Sequence, residues 1–321
     1  MRTIRELGEG PLIARLRRRL GPAGRGGQVL IGIGDDAAVL RSPAGQRWLF
    51  ASDMLVEGVH FRRGRVSAQR IGWKALAANI SDIAAMGGTP QWAVVSLGLP
   101  PTTAVSFVEA LYDGLKRCAR RYGVTVVGGD TVRAPQLVVD VAILGSVGSG
   151  QLVLRSGARP GDVLFVTGRL GGSLGSGRHA SFIPRMREAQ QLARRVRVRA
   201  MMDLSDGLAS DLWQVSRASR CTLRVQAARI PVSRAARTCR QRSCRCRRWA
   251  GGSAVFHAVM DGEDFELLFA VAPRDVRRLP ARLGSCPVTR IGRVVGGGVR
   301  VELEHPDGRI SRLSPQGFRH F

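Results

Sequence analysis

Lysine is almost missing from this chain of 321 residues. Lys74 and Lys116 are the only two, so arginine supplies 48 of the 50 basic residues. Codon usage in a GC-rich genome produces a preference that one-sided. The net charge of +26 is therefore weak evidence for a selected nucleic-acid face. Aromatic residues are scarce at 5%, and no helix-turn-helix, zinc-finger or aromatic RNA-binding signature is present. No nucleic-acid partner is expected. No apolar run reaches the roughly 20 residues of a membrane helix, and the opening Met-Arg-Thr-Ile-Arg-Glu-Leu-Gly-Glu-Gly lacks the apolar core of a signal peptide. The expectation is a cytoplasmic protein without a membrane partner. The P-loop and the protein-kinase motif set are absent. Cysteine is sparse too: Cys118, Cys221, Cys239, Cys244, Cys246 and Cys286. Cys244 and Cys246 have no partner pair and His257 is isolated, so a zinc site is not expected and free thiols in a reducing compartment are.

A hydrophobic content of 44% and 40 glycines fit an α/β protein of two domains rich in tight turns. The apolar pattern predicts helices over residues 10–20, 71–86, 102–122, 184–199 and 206–219. It predicts strands over 28–33, 47–51, 92–99, 124–127, 137–147, 163–167, 200–202 and 265–271. Gly, Ser and Pro concentrate over 148–161. The expected division is therefore residues 1–150 and 151–321.

The stretch 71–90 organises the reading. Its apolar residues recur at helical spacing, and Gly87, Gly88 and Pro90 supply a stop. Lys74, Asn79 and Asp82 are expected on one side of this otherwise buriable helix. Four more acidic clusters sit at comparable junctions: Gly34-Asp35-Asp36, Ser52-Asp53, Gly128-Gly129-Asp130 and Asp203-Leu204-Ser205-Asp206. Any one of them is explained by capping or turn chemistry. If they gather beyond strand ends, Asp35, Asp36, Asp53, Asp82, Asp130, Asp203 and Asp206 share one cleft. So many carboxylates require protonation or a divalent cation. Oxygen ligands without His or Cys point to Mg2+, which substrate phosphates commonly complete. Arg155 is a candidate phosphate partner.

Several segments stand out together. They are the run from Gly32 to Leu40 around Gly34-Asp35-Asp36, Ser52-Asp53-Met54-Leu55-Val56-Glu57-Gly58-Val59-His60-Phe61, and the run from Lys74 to Gly87 that holds Asn79-Ile80-Ser81-Asp82. With them go Gly128-Gly129-Asp130-Thr131, Arg155-Ser156-Gly157-Ala158, Met202-Asp203-Leu204-Ser205-Asp206-Gly207-Leu208, Gly262-Glu263-Asp264-Phe265-Glu266-Leu267 and the terminal Gly317-Phe318-Arg319-His320-Phe321. In this order they resemble the thiamine-monophosphate kinase family, within the superfamily of aminoimidazole ribonucleotide synthetase. The resemblance implies an α/β fold of α+β type with two domains, the N-terminal one binding ATP and Mg2+ and pairing its sheet across a homodimer. It implies transfer of the γ-phosphoryl group of ATP to thiamine monophosphate, giving thiamine diphosphate. Carried over residue by residue, Asp36, Ser52, Asp53, Asp82, Asp130, Asp203 and Asp206 hold Mg2+, with Asp35 beside them. Gly129, Asp130, Arg155 and Ser205 touch ATP, and His60 and Glu263 face the thiamine phosphate. Asp82 and Asp206 are the expected catalytic carboxylates. The chain departs from the family in having Ala51 where Ser is frequent, and Pro315 where an aromatic is frequent. Stacking on the substrate ring then falls to Phe318. Residues 234–249 match nothing in the family. Two alternatives stay open: another ATP-dependent member of the superfamily, such as an amide-activating or selenophosphate synthetase, and a non-catalytic basic binding protein.

Overall fold

The computed structural model describes residues 3–20, 27–42, 45–238 and 253–318. Cys239, Cys244 and Cys246 and the last three residues of the terminal motif lie outside them. Two short helices open the chain, α1 (Ile4–Leu7) and α2 (Glu9–Leu20). The first sheet contains β1 (Val29–Ile31), β2 (Ala38–Arg41), β3 (Gln46–Val56), β4 (Thr89–Leu99), β5 (Thr125–Arg133) and β6 (Val138–Gly148), in the order β1-β2-β3-β6-β4-β5. Neighbours run antiparallel except β4 and β5, whose parallel pairing is connected through a helix. Helices α3 (Ala68–Ala85) and α4 (Val105–Tyr122) pack together, with α3 against this sheet.

The second sheet is mostly antiparallel. It contains β7 (Val163–Thr167), β8 (Val198–Asp203), β9 (Cys221–Gln226), β10 (Leu267–Val271), β11 (Arg282–Leu283), β12 (Cys286–Gly297), β13 (Arg300–Glu304) and β14 (Ile310–Arg312). Its order is β14-β13-β9-β12-β7-β10-β8, with β11 paired to β12. Helices α5 (Ser173–Ser176), α6 (Met186–Arg195), α7 (Leu208–Ser219), α8 (Arg234–Arg237) and α9 (Ser253–Met260) accompany it. Cys118, Cys221 and Cys286 are buried free thiols. No described helix is long and apolar enough to cross a membrane.

Helix α3 is the element both sheets share. Ser67 caps it by accepting from the Arg70 amide, and Gly87 (φ +75°) follows its end. All of its residues are buried except Gln69, Arg70 and Asp82. A helix buried all round is a core element, and α3 contacts β3 and β6 on one side and α6 and β8 on the other. Its crossing with α4 is backbone on backbone. A Cβ on Gly72 would lie 1.9 Å from the Leu111 carbonyl oxygen, and one on Gly114 would lie 1.8 Å from that of Gln69.

Several expected elements differ from those observed. β3 and β5 do not stop at Ser52-Asp53 and Gly128-Gly129-Asp130 but run through them to Val56 and Arg133. Polar residues inside a strand break the apolar run that marks its length, although the pairing with β6 and β4 continues. The basic helix ends at Arg195, four residues short of the expected 199, because Val196 and Val198 favour extended backbone.

Gly72→Ala or Gly114→Ala is expected to destabilise the protein by at least about 2 kcal/mol, since neither backbone can retreat from the added methyl. Denaturant unfolding checks this, as a lowered midpoint at unchanged slope.

Candidate active site

Between the two sheets, at the open end of α3, lies a cavity of about 450 Å3. The sequence dictates which side chains enter it. Along β3, Leu49, Ala51 and Leu55 are buried towards α3, so period-two alternation turns Asp53 the same way. Along α3, Lys74, Ala78 and Asp82 are four residues apart and form one stripe facing the cavity. Asp35 and Asp36 come from the turn before β2, Arg155 from the connection between the sheets, and Asp203 from the last position of β8. Ser205 and Asp206 follow immediately, while Glu263 and Phe318 close the far side.

Asp36, Asp82 and Asp203 each place a carboxylate oxygen within 4.8 Å of the others. Burial, then Asp53, Asp203 and Asp36, push the Asp82 carboxyl well above its ordinary range. Burial, then Asp36, lifts Asp203 to about 8 even though the Ser81 hydroxyl donates to it at 2.6 Å. Burial raises Asp35 and Asp53 to about 6, helped by Asp36 in the first case and by Glu263 and Asp206 in the second. Arg155 is the cation bound into this cluster. Its Nη2 and Nε donate to Asp36 at 2.6 and 3.1 Å, and its amide donates to the Asp35 carboxylate at 3.2 Å. Two of its five guanidinium donors are thus used, and the rest are available to a phosphate. The second oxygen of Asp36 is buried with no hydrogen-bond partner. Three clustered carboxylates, an orphaned buried oxygen and raised pKa values fit a hard divalent cation such as Mg2+.

The other end of the cavity holds His60 and Glu263. The Val56 amide donates to His60 Nδ1 at 2.9 Å, which puts the neutral ring's proton on Nε2. The His60 ring lies 6.2 Å from that of Phe318. Phe318 is fixed by its amide, which donates to the Asp206 carbonyl at 2.9 Å, and by Gly317, whose Cβ would lie 2.1 Å from the same oxygen. Glu263 adopts φ +66° and Phe265 φ +49°, backbone that non-glycine residues avoid. The Glu263 and Phe265 amides donate to the Ser205 and Leu204 carbonyls at 2.6 and 2.8 Å. The other two carboxylates of Gly262-Glu263-Asp264-Phe265-Glu266-Leu267 turn into the protein. Asp264 accepts from Gly171, Ser173 and Arg178, and Glu266 accepts from Thr167 and, at 2.6 and 2.5 Å, from Arg185.

The cavity thus gathers Asp35, Asp36, Ser52, Asp53, His60, Asp82, Arg155, Asp203, Ser205, Asp206, Glu263 and Phe318. Gly129 and Asp130 are elsewhere, on the exposed strand β5. Gly129 has a structural reason to be glycine, because a Cβ there would lie 1.8 Å from the Val95 carbonyl oxygen. Ser52 touches the cavity, but its hydroxyl donates at 3.0 Å to Asp140 on the opposite face of the sheet. Asn79 does not share the Lys74–Asp82 stripe: its amide turns back to the Ala75 carbonyl. Sequence reasoning missed Lys74 as a site residue, along with Glu9, Gly10 and Ile13 of α2 and Gln214 and Arg217 of α7. A signal for Lys74 existed, since it is one of only two lysines in an arginine-dominated chain.

Residues 34–147 match the family model described as AIR synthase related protein, N-terminal domain, and residues 179–304 match the corresponding C-terminal domain. The thiamine-monophosphate kinase of Rhodopirellula baltica is 41% identical over 304 residues, covering 91% of this chain and 92% of that protein. The chain belongs to the thiamine-monophosphate kinase family. The thiamine-monophosphate kinase of Bacillus subtilis is 33% identical, covering 91% and 93%. A solved structure described as AaThiL complexed with AMPPCP and TMP superposes with a TM-score of 0.83 at 31% identity, covering 100% of this chain and 99% of that one. These likenesses to thiamine-monophosphate kinases do not favour the synthetase alternative.

The raised carboxyls give the metal-free protein a signed pH dependence. Between about pH 4 and 8 the folded cluster holds more protons than the unfolded chain, so stability falls as pH rises through the values near 6 and 8. A cation that binds the ionised cluster offsets this loss. Saturating Mg2+ is therefore expected to raise the melting temperature more at pH 8.5 than at pH 5.5. An equal shift at both values, or none at either, would count against a metal at this cluster.

Proposed function

We propose that this protein transfers the γ-phosphoryl group of ATP to the phosphate of thiamine monophosphate, forming thiamine diphosphate and ADP. The observation that carries the reading is the division of one cavity into a carboxylate end at Asp36, Asp82 and Asp203 and a recognition end at His60 and Glu263, in a member of this kinase family. The acceptor is itself an anionic phosphate near neutral pH, so no strong general base is needed, and positioning with charge neutralisation carries the chemistry. Asp36, Asp53, Asp82, Asp203 and Asp206 would hold Mg2+, with Asp35 behind them. Bound there, the metal would neutralise the charge of the transferring phosphoryl group. Asp82 is central because it approaches Asp36 and Asp203 at once, and Asp206 is the second carboxylate assigned to the catalytic step. Arg155 keeps Asp36 in place while its remaining N–H groups address ATP, and Ser205 adjoins them. His60 Nε2–H donates to the acceptor phosphate. Glu263 accepts from a donor on the thiamine moiety, and Phe318 lies against its ring.

The first sheet supports a homodimer. Its face away from α3 exposes the large apolar residues Phe50, Met54, Trp92 and Val94, the kind of surface a second copy would cover. The register Met54–Asp140–Ser96–Asp130 lies across that face. Roles for Ser52, Gly129 and Asp130 in metal or ATP binding therefore depend on a second copy covering it. The division at residue 150 follows the two sheets, and a cytoplasmic location fits the substrates and the absence of a long apolar helix among the described residues.

Incubation with Mg-ATP and thiamine monophosphate, with separation of the products, tests the reading. Thiamine diphosphate is expected, and ATP hydrolysis without it would refute the assignment. Asp82→Asn should lower kcat by about two to three orders of magnitude in a folded protein. His60→Ala should raise KM for thiamine monophosphate roughly tenfold while that for ATP stays within about twofold.

A further inference from the structure

Lys74 is fully buried, whereas Lys116 lies on the exposed side of α4. In a chain that uses arginine at 48 of its 50 basic positions, a lysine kept inside the core marks a place for a compact ammonium rather than a planar fork. The ammonium forms an ion pair with Glu263 and donates at 3.0 Å to the His60 carbonyl oxygen. Those partners stand 189 and 14 residues away in the chain, one on the left-handed loop before β10 and the other on the turn after β3. Asp53, one stripe away on β3, is within electrostatic reach of the same ammonium. Lys74 thus joins the two groups assigned to the acceptor and lies between them and the carboxylate cluster.

We propose that Lys74 is the positioning residue of the acceptor subsite: its ammonium ties Glu263 to the His60 turn and cancels the Glu263 charge, so that an anionic acceptor phosphate meets no uncompensated carboxylate. This rests on the assignment of His60 and Glu263 to thiamine monophosphate. Burial holds the Lys74 ammonium below its ordinary lysine value, and Glu263 and then Asp53 beside it offset part of that shift. An ammonium buried this fully therefore needs the carboxylate beside it. With the ion pair intact, Glu263 presents a lone pair to a donor on the substrate without adding net charge to the pocket. Without the ammonium the same carboxylate would repel the acceptor phosphate and release the His60 carbonyl.

The test is steady-state kinetics of the full chain in four forms: wild type, Lys74→Met, Glu263→Gln and the double variant. Methionine keeps the unbranched stem and removes the charge. Each single substitution is expected to raise KM for thiamine monophosphate roughly tenfold, the effect of one lost charge-assisted hydrogen bond, with KM for ATP within about twofold. In the double variant, KM for thiamine monophosphate should be no higher than in Lys74→Met, because the carboxylate that lost the ammonium is itself gone. Multiplying effects would overturn the proposal, as would a Lys74→Met protein that melts at a lower temperature but keeps the wild-type KM. If Lys74→Met does not fold, the double variant, which lacks both charges of the pair, is compared with Glu263→Gln: equal KM supports the proposal and a further tenfold rise overturns it. Glu263→Gln with unchanged constants would remove Glu263 from the acceptor subsite and the inference with it. The wild-type product assay tests the kinase reading separately.

Discussion

Asp36, Asp82 and Asp203 reach one point from three directions, and that crowding governs the rest of the structure. One comes from the edge of the first sheet, one from the helix in the middle and one from the second sheet, and their oxygens lie within 4.8 Å. Burial makes ionised carboxylates at such separations unfavourable, so the molecule must supply cations or keep protons. It supplies two cationic side chains in different places. Arg155 binds Asp36 from the connection between the sheets, and Lys74 binds Glu263 at the other end of the cavity. Both ion pairs cross between the two halves of the chain, so the site exists only when the sheets are docked on α3.

That requirement explains the composition of α3. A helix with a sheet on either side, and another helix crossing it at glycine-to-backbone distance, favours small residues, and α3 has alanine at six of its 18 positions and glycine at the crossing. Beyond its first turn, the polar residues it keeps are those with a defined partner or a place in the cavity. Ser81 donates to Asp203 and Lys74 holds Glu263. Asp82 projects into the cleft.

Much of this was legible in the sequence. The helix at 71–90 with its glycine stop and the gathering of Asp35, Asp36, Asp53, Asp82, Asp203 and Asp206 are read from pattern and chemistry. Strand length was less legible. Ser52, Asp53 and Asp130 interrupt the apolar runs of β3 and β5, so these polar side chains contradict the local propensity of the strands that carry them. Mistaking a strand interior for a strand end also hid the alternation, which is why Asp53 and Ser52 seemed neighbours in function while their side chains leave opposite faces. Asn79 failed for a related reason: three residues from Asp82 is close on a helix, but its amide is satisfied by the Ala75 carbonyl one turn back.

The segment Gly262-Glu263-Asp264-Phe265-Glu266-Leu267 shows how little acidity alone says about role. Three carboxylates stand within four residues, and acidity alone offers no ground for ranking them. The structure separates them by direction. Asp264 and Glu266 are buried against Arg178 and Arg185 with further donors from Gly171, Ser173 and Thr167, which is an anchoring arrangement. Between and beside them Glu263 and Phe265 hold positive φ, a conformation that costs about 1–3 kcal/mol at each non-glycine residue and persists only where neighbours over-determine it. The anchored pair supplies that constraint. Two carboxylates are held by their donors at the end of the inner strands β7 and β10, so that the third is presented, at a fixed place, to Lys74 and the cavity.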